Sequence, residues 1–279
     1  MSAALSAAGL SMRRAAGISR AFFRMGWNYS TNYPLGFWLG QVSQLLPVVI
    51  FYFISQLNVN SPAVGGDYYT FVVLGFVGMM ILAPGVNGLS FELEAAMLHG
   101  HWEMLLVEPV PWRLLPFTMV VWPTGLRLLL IVVMVLVSTL LGAVYDPSGL
   151  GVALLILVLG LGTGLAIGIL SSSIKVLAKK GDPVLTLYML ATQVLSGQFF
   201  NIEALPTPLR IMAYAIPQTY VNQGLRKALM PAAEAIPGFG IPASLIALAA
   251  FNLLLLPVAI WIFGRSMEYG RSIGVLSGY

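Results

Sequence analysis

The chain has 279 residues, of which 58% are hydrophobic and 9% charged, and its formal charge is +4. A soluble chain carries roughly 25% charged residues, so most of this surface cannot face water. The absence of cysteine excludes disulfide staples, thiolate metal sites and cysteine nucleophiles, and the length suits one bundle of helices with little room for a second soluble domain.

In chain order, the first segment is basic. Arg13, Arg14, Arg20 and Arg24 interrupt the region where a signal peptide needs an unbroken apolar core. At about 100° per residue, Arg13, Arg20 and Arg24 share one helical face. Ala15, Ile18, Phe22, Met25 and Tyr29 lie roughly opposite, and Arg14 breaks the pattern. An amphipathic helix in the cytoplasmic interface is predicted here. A disordered basic tail has the same composition.

Six stretches approach the roughly 20 apolar residues that a spanning helix needs. They are Leu35–Leu57, Tyr68–Leu89, Leu115–Val144, Leu150–Ser172, Pro183–Phe200 and Ile241–Gly264. The fifth is the shortest. The third is long enough to tilt, or to begin as a cytoplasmic helix that then enters the membrane. The predicted fold is therefore all-α, a polytopic membrane protein with about six transmembrane helices. Its parts are a cytoplasmic N-terminal segment (1–34), a transmembrane domain (35–264) and a cytoplasmic tail (265–279). The domain includes a cytoplasmic loop at 91–113 and an external, re-entrant segment at 201–240.

Orientation follows from lysine and arginine. One set of loops holds the N-terminal arginines, Arg113, Lys175, Lys179, Lys180, Arg265 and Arg271. The opposite set holds only Arg210, Arg226 and Lys227. Both termini are expected in the cytoplasm, of a bacterial-type inner membrane. The basic balance serves orientation, and no nucleic-acid partner is expected.

Two further regions carry chemistry. Phe91–Arg113 holds Glu92, Glu94, Glu103 and Glu108 on the side that is otherwise basic. Gly100 breaks it, His101–Glu108 has the makings of a short helix, and Pro109 helps end that helix. This shape suits docking to a cytoplasmic partner, although a solvated loop has the same composition. Asn201–Gly240 contains Pro206, Pro208, Pro217, Pro231 and Pro237, which divide it into short helices that dip into the outer leaflet.

These two regions carry a family resemblance. Gly100-His101-Trp102-Glu103-Met104-Leu105-Leu106, followed by Glu108-Pro109, resembles the coupling loop of ABC-2 type permeases. Gly100, Glu103, Leu105, Leu106 and Pro109 match, Glu94 matches the upstream glutamate, and His101 and Trp102 replace the usual Thr and Leu. Ser196-Gly197-Gln198-Phe199-Phe200, Leu205-Pro206, Ile216-Pro217-Gln218-Thr219-Tyr220 and Arg226 resemble the family's external stretch, with Asn201 or Ile202 in place of a proline. The order of elements matches along nearly the whole chain.

The resemblance implies the membrane subunit of an ABC exporter from a drug- or antibiotic-resistance-like branch. It places ATPase coupling at Glu94, Gly100, Trp102, Glu103, Leu105, Leu106 and Pro109. It places a substrate path or gate at Ser196, Gln198, Phe199, Pro217 and Tyr220, to which helical spacing adds Gln193. No G-x-x-x-x-G-K-[ST] phosphate loop occurs. The chain is therefore expected to hold no cofactor and perform no catalysis, with ATP and magnesium on partner ATPase subunits. A second permease copy or a paralogue completes the expected assembly, surrounded by membrane lipids. The expected cargo is an amphipathic or lipid-like compound; polysaccharide or lipid-linked glycan is the alternative.

Other signals point to packing. His99 and His101 project about 200° apart on a helix, which argues against joint metal ligation. Arg127 is expected to snorkel or to pair with an acidic-loop carboxylate, ahead of substrate contact. Asn87 and Asn252 suit hydrogen bonds between helices. Gln193 and Ser196, three apart, suit either such bonds or one face of a substrate path. Gly160, Gly164 and Gly168 repeat every fourth residue, which suits close packing of the fourth span.

Overall fold

The computed structural model describes residues 2–57, 67–98, 114–178, 183–230 and 236–272. Regular structure among these is entirely helical. Helix α1 is Ser2–Asn32. The first apolar stretch forms α2 (Pro34–Val42) and α3 (Leu46–Ser55), joined by a single 3₁₀ turn. Pro47 at the second position of α3 lacks the N–H that an uninterrupted α-helix would use, which accounts for the break.

Helix α4 (Tyr68–Ala83) begins at Asp67, whose side chain accepts from Thr70 N at 3.1 Å, a standard N-cap that satisfies an otherwise orphaned donor. It passes through a π-helical turn, Pro84–Gly88, into α5 (Leu89–Leu98). The third stretch is a short helix, α6 (Leu115–Met119), followed by α7 (Val121–Leu140). Then come α8 (Leu150–Ala178), α9 (Pro183–Leu195), α10 (Thr207–Tyr214), α11 (Pro217–Leu229) and α12 (Ile241–Ser272).

Five of these segments are long and apolar enough to cross a membrane: Pro34–Ser55, Tyr68–Glu94, Val121–Leu140, Pro147–Lys175 and Ile241–Tyr269. The chain is thus an all-α polytopic membrane protein. The sixth apolar stretch behaves differently. Helix α9 has 13 residues, about 20 Å of rise, against a hydrocarbon core of about 30 Å. It ends before the predicted Phe200 because Gly197 turns the chain at φ +69. At the other end, α12 continues eight residues past Gly264, so Arg265–Ser272 extends the last helix.

The packing centre is α8, whose most extensive neighbour is α12. Asn252 of α12 donates to Leu159 O at 2.9 Å and to Thr163 Oγ1 at 2.8 Å, as the sequence suggests. The glycine ladder of α8 also does what its spacing predicts. A Cβ at Gly164 would lie 2.6 Å from Leu82 O, and one at Gly168 would collide with Gly85 O. The π turn therefore rests directly on the backbone of α8, an approach that only glycine permits.

Helix α1 lies against α6 and α7. Its inward stripe is Ile18, Phe22, Gly26 and Ser30. Phe23 and Trp27 meet Trp122 edge-on, at 5.1 and 6.3 Å between ring centres. Met25 and Tyr29, expected on the apolar face, are exposed. The stripe follows Trp122, which fits over Gly26, and this tertiary contact shifts the face by part of a turn.

Candidate functional site

Helix α11 carries an unusual load for an apolar protein. Gln218, Thr219, Asn222, Gln223 and Arg226 are all buried. The helix starts at Pro217, where a missing N–H is harmless. Thr219 Oγ1 donates to Ala213 O at 2.8 Å, fixing the angle at which α11 leaves α10.

Arg226 is fully buried. Its Nη1 donates to Gly197 O at 2.7 Å, its Nη2 to Gln198 O at 2.8 Å and its Nε to Phe71 O at 3.1 Å. The guanidinium carbon lies 3.4 Å from the centre of the Phe71 ring. One helical turn earlier, Asn222 Nδ2 donates to Ser196 O at 3.0 Å. Two side chains of α11 therefore hold three consecutive carbonyls, those of Ser196, Gly197 and Gln198. A buried cation is tolerated only when its donors are used; here all three guanidinium nitrogens are engaged and a ring covers one face.

Helix α4 makes the space. A Cβ at Gly75 would lie 2.5 Å from Gln198 O and 2.9 Å from Arg226 Nη2, and one at Gly78 would collide with Asn222 Oδ1. Phe199 stacks on Phe51 at 5.5 Å and meets Phe76 edge-on at 5.7 Å. Gln198 Nε2 lies 3.6 Å from Met79 Sδ. Tyr220 donates to Tyr214 O at 2.9 Å and stacks on Phe239 at 4.9 Å.

Of the predicted path residues, Ser196, Gln198 and Phe199 thus converge on the junction of α4, α9 and α11, whereas Pro217 is buried at the other end of α11 and Tyr220 packs toward α10 and α12. Gln193 does not join them either. It is exposed on α9, whereas Ser196 is buried, so the two share no surface. The helix ends at Leu195, and Ser196 follows the turn inward instead of continuing the face.

The three basic residues between α9 and α12 are consumed internally. Arg210 pairs with Glu203 at 2.6 Å, Lys227 Nζ donates to Ile236 O at 2.7 Å, and Arg226 forms the hub. Asn222, Gln223 and the Phe71–Gly75–Gly78 face of α4 escaped the sequence reading. A polar amphipathic helix inside an otherwise apolar chain was the available signal.

At the opposite end, Glu94 of α5 pairs with Lys175 of α8 at 2.7 Å, and the same amine reaches Ser90 O at 3.4 Å. The other ion pair among the described residues is Arg210–Glu203. Arg127 is half-buried on α7 and joins neither pair, so pairing with Glu92 or Glu94 is not found. Gly100, Trp102, Glu103, Leu105, Leu106 and Pro109 lie outside the described residues, as do His99 and His101.

Long apolar helices, with a short helix stopping at a turn and polar helices closing over it, define a multi-pass membrane protein. The family model of the ABC-2 type transporter matches residues 20–230, and the chain belongs to that family as a membrane-spanning permease component that associates with ABC ATPase subunits. No curated protein matches it.

Proposed function

We propose that this permease forms half of the membrane pathway of an ATP-driven exporter. It moves an amphipathic or lipid-like compound, of the drug or antibiotic kind, outward across a bacterial-type cytoplasmic membrane. ATP and magnesium act on the partner subunits, and a second permease copy or paralogue completes the pathway. Both termini face the cytoplasm, so the Arg226 hub lies toward the outer surface and Glu94–Lys175 toward the inner one.

The observation that carries this reading is the hub itself. The three cations that would violate the orientation rule are all bound within the protein, so they satisfy local structure and leave the remaining charge asymmetry to orient the chain. A polar helix locked over the end of a short apolar one has the form of an outer gate. Phe51, Phe76 and Phe199 pack against each other as an apolar, partly exposed cluster beside the hub, a surface that suits the apolar part of a lipid-like cargo.

Partner ATP binding would press on Gly100–Pro109 and move the spans as rigid bodies. The test is reconstitution of the permease with its ATPase in vesicles. ATP-dependent movement of a fluorescent amphipathic amine or lipid analogue, lost with a hydrolysis-dead partner, is the expected result. ATP-dependent transport of glycan alone would overturn the cargo assignment.

A further inference from the structure

A second polar concavity lies away from the hub, where α3 and α7 end and α4 begins. It has a volume of about 180 Å³ and is lined by Tyr52, Ser55, Gln56, Asp67, Tyr69 and the Leu141–Gly142 turn. We propose that it binds a small organic ammonium ion.

The electrostatics favour a cation from three directions. Tyr52, Ser55 and Gln56 belong to the last turn and cap of α3, and Leu141–Gly142 caps α7. The negative ends of two helix dipoles therefore meet at the pocket. The third contribution is the Asp67 carboxylate. Its oxygens accept from Thr70 N and Thr70 Oγ1, which leaves each a further lone pair. Among the described residues the lining contains no lysine or arginine, and Asp67 takes part in neither ion pair.

The shape selects among cations. No cluster of three or more His, Cys, Asp or Glu occurs among the described residues, so a divalent metal would find one carboxylate where its coordination demands several oxygens. The volume would hold a bare ion only with its water. The accessible lining is almost wholly polar, so an ammonium N–H would be met by oxygen acceptors and not by ring faces. Ser55 Oγ already donates to Tyr52 O at 2.7 Å, which leaves its oxygen free to accept. The Gln56 side chain is exposed and offers a second acceptor at the rim.

The mouth is held in shape from outside. Val144 N donates to Thr70 Oγ1 at 3.1 Å and Asp146 N to Leu229 O at 2.8 Å. The turn after α7 is thereby pinned to both α4 and α11.

The assignment does not depend on export or on cargo, and is tested on the purified full-length protein in detergent. Equilibrium dialysis with radiolabelled ethanolammonium is expected to show saturable binding. n-Propylammonium should displace the label, and neutral ethylene glycol or calcium should not. Asp67→Asn keeps the capping acceptor and removes the charge, so it should melt as the parent does and bind about tenfold more weakly. Three results would overturn the proposal: no saturable binding by the parent, unchanged affinity in a folded Asp67→Asn variant, or displacement by calcium but not by n-propylammonium.

Discussion

Arg226 and Phe71 meet twice: the guanidinium lies 3.4 Å from the ring centre, and its Nε donates to the backbone carbonyl of the same residue at 3.1 Å. The side chain and backbone of one α4 residue thus bind one α11 residue. Removing the guanidinium would leave the carbonyls of Gly197 and Gln198 short of donors, at about 1–3 kcal/mol for each acceptor left unpaired, whereas Phe71 O keeps its bond within α4. Arg226→Leu is expected to lower the melting midpoint of the purified protein by at least about 5 °C. Arg226→Lys keeps the charge but loses the fork and the ring contact, and should fall between. Unchanged melting for both would remove the hub from the account of stability.

The glycine ladder predicts a contrast within one helix. At Gly168 a Cβ meets backbone that cannot swing aside, whereas at Gly151 it meets nothing within 4 Å. Gly168→Ala should therefore destabilise by roughly 1–3 kcal/mol. Gly151→Ala should be neutral or stabilise by roughly 0.5–1 kcal/mol. Chemical or thermal unfolding of the two variants side by side checks this, and equal effects would show that α8 yields where it touches the π turn.

Much of this architecture was legible in hydrophobic run length, because a bilayer demands about 20 apolar residues wherever a helix crosses. The glycine spacing was legible for a similar reason: periodicity reports one face of one helix. What escaped were relationships between helices. Arg226 counted as one external cation among three, and nothing local distinguishes a buried arginine from a solvated one. The shortness of α9 depends on Gly197 adopting φ +69, which Arg226 and Asn222 secure from 25 to 30 residues away by holding the following carbonyls. Gln193 and Ser196 were placed on a continuous helix that in fact ends between them.

Glu94 stands in two accounts at once, as a coupling residue by resemblance and as the partner of Lys175 in the structure. Its side chain is 50% exposed, so the pair is worth only about 0–1 kcal/mol. Glu94→Gln is expected to leave the melting midpoint nearly unchanged. If Glu94 also takes part in coupling, the same variant should reduce transport per ATP hydrolysed. A large stability loss with normal coupling would make it a structural residue alone.

Orientation is open to direct measurement because the chain has no cysteine. Ser148 is exposed on the turn between α7 and α8. Its neighbour Asp146 is held below the usual carboxylate range by hydrogen bonding from Ser148, so a charged carboxylate marks this turn. Ser148→Cys should react with an impermeant thiol reagent added to intact cells. Ser277→Cys should react only after the membrane is opened. Labelling at 277 from outside would reverse or break the proposed topology.

The docking assignment rests on residues 100–109 and is the most decisive for the proposed function. A short helix from Gly100 to Pro109 would present Trp102, Leu105 and Leu106 as an apolar anchor and Glu103 as a carboxylate for a basic residue of the ATPase. Apolar and aromatic anchors dominate interface energetics, with truncation at a hot spot costing roughly 2 kcal/mol or more, whereas an exposed ion pair contributes about 0–1 kcal/mol. Leu105→Ala should therefore reduce co-purification of the ATPase more than Glu103→Gln does. Glu103→Gln should retain the partner and lower transport per ATP hydrolysed, because the carboxylate orients the contact more than it strengthens it. A permease with Gly100–Pro109 replaced by a Gly/Ser linker should reach the membrane but lose its ATPase. Normal ATPase binding by that variant would place the docking surface elsewhere, with the ends of α5 and α8 around Glu94 and Lys175 the next candidates.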